Sequence, residues 1–227
     1  MITMRIKLIG ICLALLMMTA FAACSNQVSI TDDMTPTKTA QAFLDSFKAQ
    51  DWDTIDQIYA GKGSDFAAAY GTSEDSDAAT DALQDVYLSK LYDFDYEVTG
   101  ETIAEDEKTA TVDVAVTTYN MVEVFNNFYQ EYMDQALEKY SGNSAEMKEE
   151  DLEEMAVSIL EEQMENAEKD YVSNTTMSMT KTDGKWIIDK SMKDDAAFLN
   201  AVSGGMMDVA GDIANAKKGE DTEKDDK

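Results

Sequence analysis

The sequence predicts an α+β fold, and three observations carry that reading. Apolar residues recur at helical spacing between Ala40 and Tyr87, the period drops to two from Tyr92, and an Asp183-Gly184 pair separates two later strand-like runs. Helices first and an antiparallel sheet after them is an α+β arrangement.

Ahead of the domain, Met1 to Lys7 carries the chain's only arginine, Arg5, beside Lys7. Leu8 to Ala20 is an uncharged apolar run, followed by Phe21-Ala22-Ala23-Cys24. A basic start, about a dozen apolar residues and small residues before a cut form a secretory signal too short for a comfortable bilayer span. The last four residues resemble the lipobox of bacterial lipoproteins, with phenylalanine where leucine is usual. That resemblance implies removal of residues 1–23 and palmitate-type acylation of Cys24. It also implies a lipid anchor on the extracytoplasmic face of the cell membrane, with residues 24–34 as a polar tether. The alternative, an uncleaved anchor, is disfavoured by the charged and turn-forming residues that follow at once.

Thr35-Pro36 opens the domain, assigned to residues 35–216. Threonine suits an N-cap and proline the first helical position, after which Ala40, Phe43, Leu44 and Phe47 share one face. This helix ends near Gln50, and Asp51 caps a second, short one bearing Trp52, Ile55, Ile58 and Tyr59. Gly61-Lys62-Gly63-Ser64 lacks the spacing of a phosphate loop and reads as a plain turn into a polar loop. Ala79, Ala82, Leu83, Val86 and Tyr87 mark a third helix, started by an acid among Asp75 to Asp77. Glu74, Asp75, Asp77 and Asp81 could attract calcium, but the glycine and closing glutamate of an EF-hand loop are missing. A solvated acidic loop is the better reading.

Tyr92, Phe94, Tyr96 and Val98 alternate with Asp93, Asp95, Glu97 and Thr99, giving a strand with an aromatic face and an acidic one. A turn region is expected from Gly100 to Glu107. Ala110, Val112, Val114 and Val116 then alternate with Thr109, Thr111, Asp113 and Thr117 in a second, antiparallel strand. Residues 121–169 read as an inserted helical hairpin. One stripe holds Met121, Phe125, Phe128, Tyr129, Tyr132, Met133, Ala136 and Tyr140, Ser141 to Ser144 breaks it, and Leu152, Met155, Ala156, Ile159, Leu160 and Met164 form the second. These residues either seal the hairpin against the sheet, the more economical reading, or offer an adaptable surface to a ligand or partner. Strands resume at Tyr171, and Asp183-Gly184 before Trp186-Ile187-Ile188 marks a type I′ hairpin. Asn174-Thr175-Thr176 matches a glycosylation sequon, without meaning in a bacterial lipoprotein. Asp194 to Asn215 is expected to be a final helix, breakable at Gly204-Gly205, and residues 217–227 a disordered acidic tail.

Composition removes whole classes of function. The chain carries 18 basic and 46 acidic residues, a formal charge of -28, and loss of the leader would leave 16 lysines and a charge near -30. A field of that sign, with no arginine fork, excludes nucleic acid as a partner and polybasic attachment to an anionic surface. The chain has no histidine, which removes His-based catalysis and the commonest metal ligand. Cys12 leaves with the leader and Cys24 is consumed by the lipid, so no disulfide, thiolate metal site or cysteine nucleophile remains, and no cofactor is expected.

Thr35 to Tyr59, Tyr92 to Tyr119 and Tyr171 to Asp189, closed by Asp183-Gly184-Lys185-Trp186-Ile187-Ile188, resemble the NTF2-like (cystatin-like) α+β cone. The likeness is to the variant carried by lipoproteins of Gram-positive bacteria. It implies N-terminal helices packed on a curved antiparallel sheet, with the helical hairpin inserted and a C-terminal helix. The wider fold hosts enzymes, small-molecule binders and interaction modules. An enzyme of this type would pair a carboxylate with a phenol, and Asp113 with Tyr96 or Tyr119 offers the groups, but Asp113 alternates with the valines and faces away from them. The chain is therefore expected to be a non-catalytic binding module for a small molecule or peptide. The alternative is a structural or interaction lipoprotein that docks an envelope protein through the hairpin. Trp52, Tyr96, Tyr119 and Trp186 are the candidate rings for a cationic or apolar ligand.

Overall fold

The first two helices begin where a side chain satisfies their leading amides. The computed structural model describes residues 30–31, 33–70, 78–142 and 149–207, with backbone alone at 67–70, 78–83, 140–142 and 149–150. Cys24, the acidic loop from Glu74 to Asp77, and the tail from residue 208 lie outside the described residues, as does the side chain of Asp81. Helix α1 (Pro36–Lys48) is capped by Thr35, whose Oγ1 accepts from the Lys38 amide at 3.3 Å. Asp51 caps α2 (Trp52–Ile58), one oxygen accepting from the Thr54 amide at 3.1 Å and the other from its hydroxyl at 2.6 Å.

The turn at Gly61 is shorter than expected, and a further helix, α3 (Gly63–Tyr70), stands where the polar loop is expected to begin. The Gly63 amide donates to Asp56 Oδ1 at 2.5 Å, and Phe66 is buried against Phe43, Phe47 and Tyr59. Burial of that one ring outweighs the weak local signal of two glycines. Helix α4 (Ala78–Leu91) follows, and Tyr92 belongs to its end, its amide donating to the Leu88 carbonyl at 3.1 Å. Strand β1 (Asp95–Ile103) thus starts three residues later than alternation suggests.

Strands β1, β2 (Thr109–Thr118), β3 (Tyr171–Thr182) and β4 (Lys185–Ile188) form one antiparallel sheet in chain order. The fold is thus α+β. Its inner face carries Val112, Val114, Val116, Met177, Met179 and Ile188, all buried under α1 and the C-terminal helix. Between these layers the rings of Phe43, Phe47, Phe66 and Phe198 pack with centroid separations of 5.6 to 6.4 Å, and Phe94 joins through Phe47. The space between helices and sheet is filled by side chains. Asp183 (φ 52°) and Gly184 (φ 85°) both take the left-handed conformation that a type I′ turn needs, and Thr182 pairs with Lys185 across it.

Gly100 is not the start of a turn. Val98 pairs with Val114 and Gly100 with Asp113, so Thr99 is the extra residue of a β-bulge, and β1 runs on to Ile103. The bulge reverses the alternation: Glu101 and Ile103 now oppose Val112 and Ala110 on the inner side of the sheet. The turn itself occupies Ala104 to Lys108, with Glu107 at φ 56°.

Helix α5 (Met121–Gly142) packs along α6 (Glu149–Glu165), and α6 packs on α4. The hairpin is therefore sealed against a helix, not against the sheet as expected. Its root is a small cluster of Met121, Val124 and Met164 with Val86, Tyr87 and Tyr119. The final helical segment breaks at Gly204-Gly205, where its glycines allow, and its expected continuation over residues 208–215 lies outside the described residues. A 3-10 turn (Lys190–Asp194) precedes α7 (Ala196–Val202), which stops before Gly204 and Gly205, at φ 64° and 87°. Gly204 lies against the hairpin root, its carbonyl accepting from the Met121 amide at 3.0 Å. Among the described residues no helix is long and apolar enough to cross a membrane.

Candidate functional site

The bulge at Thr99 shapes a groove in the domain. By turning Glu101 and Ile103 inward, it opens a groove of about 570 Å³ between the start of α1 and the two sheet turns. Met34, Ile103 and Trp186 supply apolar walls, and the carboxylates of Asp33, Glu101, Glu105 and Glu107 line it against one ammonium, Lys181. Glu101 is held in place, its Oε2 accepting from the Thr37 amide at 2.9 Å and the Thr37 hydroxyl at 2.6 Å. It lends α1 the N-terminal negative charge that the helix's own first turn lacks. A hydrogen bond from the Thr31 side chain is the main reason the Asp33 carboxyl sits below its ordinary range. Lys181 Nζ lies 5.2 Å from the centroid of the Trp186 ring, within cation-π reach. A recess of about 10 Å³, room for one water-sized group, shares Met34 and Trp186 with the groove and is lined by Thr39. The Thr39 hydroxyl is buried and, among the described residues, has no hydrogen-bond partner.

The four rings singled out from the sequence do not share this site. Of them, only Trp186 lines the groove. Trp52 packs edge-on against Phe47 at 6.0 Å and Tyr92 at 6.3 Å. The Tyr96 hydroxyl donates to Asp45 Oδ1 at 2.7 Å, tying β1 to α1; burial first, and then this carboxylate, hold its phenol well above its ordinary pKa. The Tyr119 hydroxyl donates to Asp93 Oδ2 at 2.7 Å, and Lys169 binds Asp93 at 3.0 Å and Asp95 at 3.1 Å. Lys90 Nζ already covers the Tyr119 ring at 4.1 Å. Asp113 lies exposed on the outer sheet face and accepts from Thr176 at 2.7 Å, so neither phenol pairs with it.

A second surface lies on α5. Phe128 and Tyr132 stack at 5.9 Å, and Glu131 accepts from Gln163 of α6 at 2.8 Å, which fixes how the two helices meet. Beyond this seam, Tyr129, Met133 and Leu137 are 63%, 38% and 59% exposed. Spaced four residues apart, they form one stripe.

A family model described as a domain of unknown function (DUF5105) matches residues 37–201. The chain belongs to the DUF5105 family. The crystal structure at 2.62 Å of a protein named "putative lipoprotein (ycdA)", from Bacillus subtilis subsp. subtilis str. 168, is similar to 73% of this chain at 17% identity and a TM-score of 0.46. The DUF5105 chain spans about half, 55%, of that protein's length. No curated protein matches it.

Two features of this DUF5105 domain escaped the sequence pattern. The groove depends on a bulge, for which glycine inside an alternating run, Gly100, is the available signal. The exposed stripe depends on which partner α5 chooses. A single amphipathic pattern cannot separate the part of its apolar face that meets α6 from the part that meets water.

Proposed function

We propose that this DUF5105 protein is a lipid-anchored, non-catalytic protein of the extracytoplasmic membrane face that docks an envelope protein through its helical hairpin. Anchoring rests on the lipobox-like Phe21 to Cys24, and the domain on top of it is read as an NTF2-like cone with an inserted hairpin. The observation that carries the docking role is the stripe of Tyr129, Met133 and Leu137. These are three of the six large apolar side chains exposed among the described residues, and they stand together on one helix. Scattered apolar residues are ordinary on a surface; an aligned set on an outer helix marks a contact face. Tyrosine in particular brings a large, stiff area of contact, the type that dominates interface energetics.

Non-catalysis is supported by how the candidate groups are occupied. Asp113, Tyr96 and Tyr119 are each engaged in local hydrogen bonds on different faces of the fold, away from the groove. The test places a photoreactive side chain at Tyr129 in the full chain, in cells, and a control at exposed Glu153 of α6. A discrete membrane-protein adduct at the first position, absent at the second and abolished by Met133→Lys, is expected. Adducts that are equal at both positions, or missing at both, refute docking by this face. Cys24→Ala should separately release the protein from the membrane fraction, and retention there with continued palmitate incorporation refutes the anchor.

A further inference from the structure

We infer that the groove beside Trp186 binds a small organic cation, an ammonium group carried on an apolar body. This is independent of the hairpin's role. Four carboxylates face a single ammonium there, on a chain whose formal charge is already -28, so the groove attracts cations and rejects organic anions. Among the described residues no group of three or more acids is placed to hold a metal ion. The lining also carries apolar surface. Met34, Trp186 and the 44% exposed Ile103 offer an apolar bed, and a volume of about 570 Å³ lies within the range of small-ligand sites.

Lys181 shows how such a ligand is held. Its ammonium stands 5.2 Å from the Trp186 centroid, where a ligand cation would stand, and among the described residues it forms no ion pair with the carboxylates around it. The chain's own lysine is therefore a displaceable occupant. The second independent sign is Thr39. Among the described residues its hydroxyl is buried without a partner, and Thr39 lines the recess that shares Met34 and Trp186 with the groove, where it offers an acceptor for one inserted N–H. A buried polar group left unsatisfied by the protein itself points to a group supplied from outside.

The competition with Lys181 gives the test its signature. The full chain, purified in detergent, is titrated calorimetrically with phenethylammonium and with phenylpropionate, which places a carboxylate on the same apolar ring. Saturable binding of the amine and none of the acid is expected. Glu105→Gln with Glu107→Gln, on an exposed turn, should weaken amine binding by about 5- to 10-fold, from two part-screened charges. Lys181→Met should strengthen it, because the resident cation is gone. Opposite shifts from the two variants support the site. No saturable amine binding overturns the inference, as does an affinity that neither variant changes. A large preference for a lysine-bearing peptide over the free amine overturns the small-molecule assignment.

Discussion

Gly184 and Gly204 share a left-handed backbone but not their surroundings, so alanine at each separates backbone strain from crowding. At Gly184 (φ 85°) an added Cβ meets nothing within 4 Å. At Gly204 (φ 64°) it would lie 1.9 Å from the carbonyl oxygen of Tyr119 and 3.2 Å from the Met121 nitrogen. Gly184→Ala should therefore cost only the left-handed term, about 1 kcal/mol, and the β-branched Gly184→Val about 1 to 3 kcal/mol. Gly204→Ala adds a collision with backbone, which cannot swing aside as a side chain can. Relief requires α7 to part from the hairpin root and breaks the hydrogen bond between Met121 and Gly204, for a total of about 3 to 5 kcal/mol. In a domain of this size each kcal/mol moves Tm by about 2 to 4 °C. Thermal and urea unfolding should then separate the two alanine variants by several degrees. Hydrogen exchange at Met121 to Val124 should quicken in Gly204→Ala alone. Equal losses of stability, with equal exchange at the hairpin root, would refute the argument that Gly204 sets how the hairpin is seated.

Three further substitutions test the polar bookkeeping of the fold. The Asp93 carboxyl is held below its ordinary value chiefly by the Tyr119 hydroxyl and next by Lys169. Its stabilisation is present above the unfolded value of about 3.9 and fades as pH falls through the lower folded one. Tyr119→Phe should flatten that acid limb, and parallel stability-pH curves for the two proteins would refute the coupling. The Tyr119 phenol, raised mainly by its bond to Asp93, contributes below its unfolded value of about 10 and loses that contribution as pH climbs through the folded one. Thr39→Val and Thr175→Val each remove a buried hydroxyl without a partner among the described residues and should be neutral or stabilising by about 1 kcal/mol. A loss of more than about 1 kcal/mol at either position, measured by urea unfolding, would mean that its hydroxyl is satisfied in solution.

Elements whose cause is local were legible in the sequence. Thr35 with Pro36, Asp51, and Asp183-Gly184 each satisfy or shape the backbone within a few residues, and each sits where its chemistry requires. What escaped has causes distant in the chain. Helix α3 forms because Phe66 completes a cluster with rings from α1 and Phe198. The hairpin rests on α4 because that surface, not the sheet, meets its root. The groove is the most instructive case. Unbroken alternation through β1 would send Glu101 to the outer face with Asp95 and Glu97, leaving no carboxylate beside Thr37 and no apolar wall at Ile103. One unpaired residue, Thr99, reverses both. Local rules fail here because the site is made by the failure: a bulge sacrifices ladder pairing to re-aim two side chains. Because Val98 pairs with Val114 and Gly100 with Asp113, deleting Thr99 should leave a regular ladder with Glu101 still opposite Val112 and Ile103 still opposite Ala110. Amine binding should therefore survive the deletion, and its loss would show that the irregular backbone itself, and not the facing of these two side chains, builds the site.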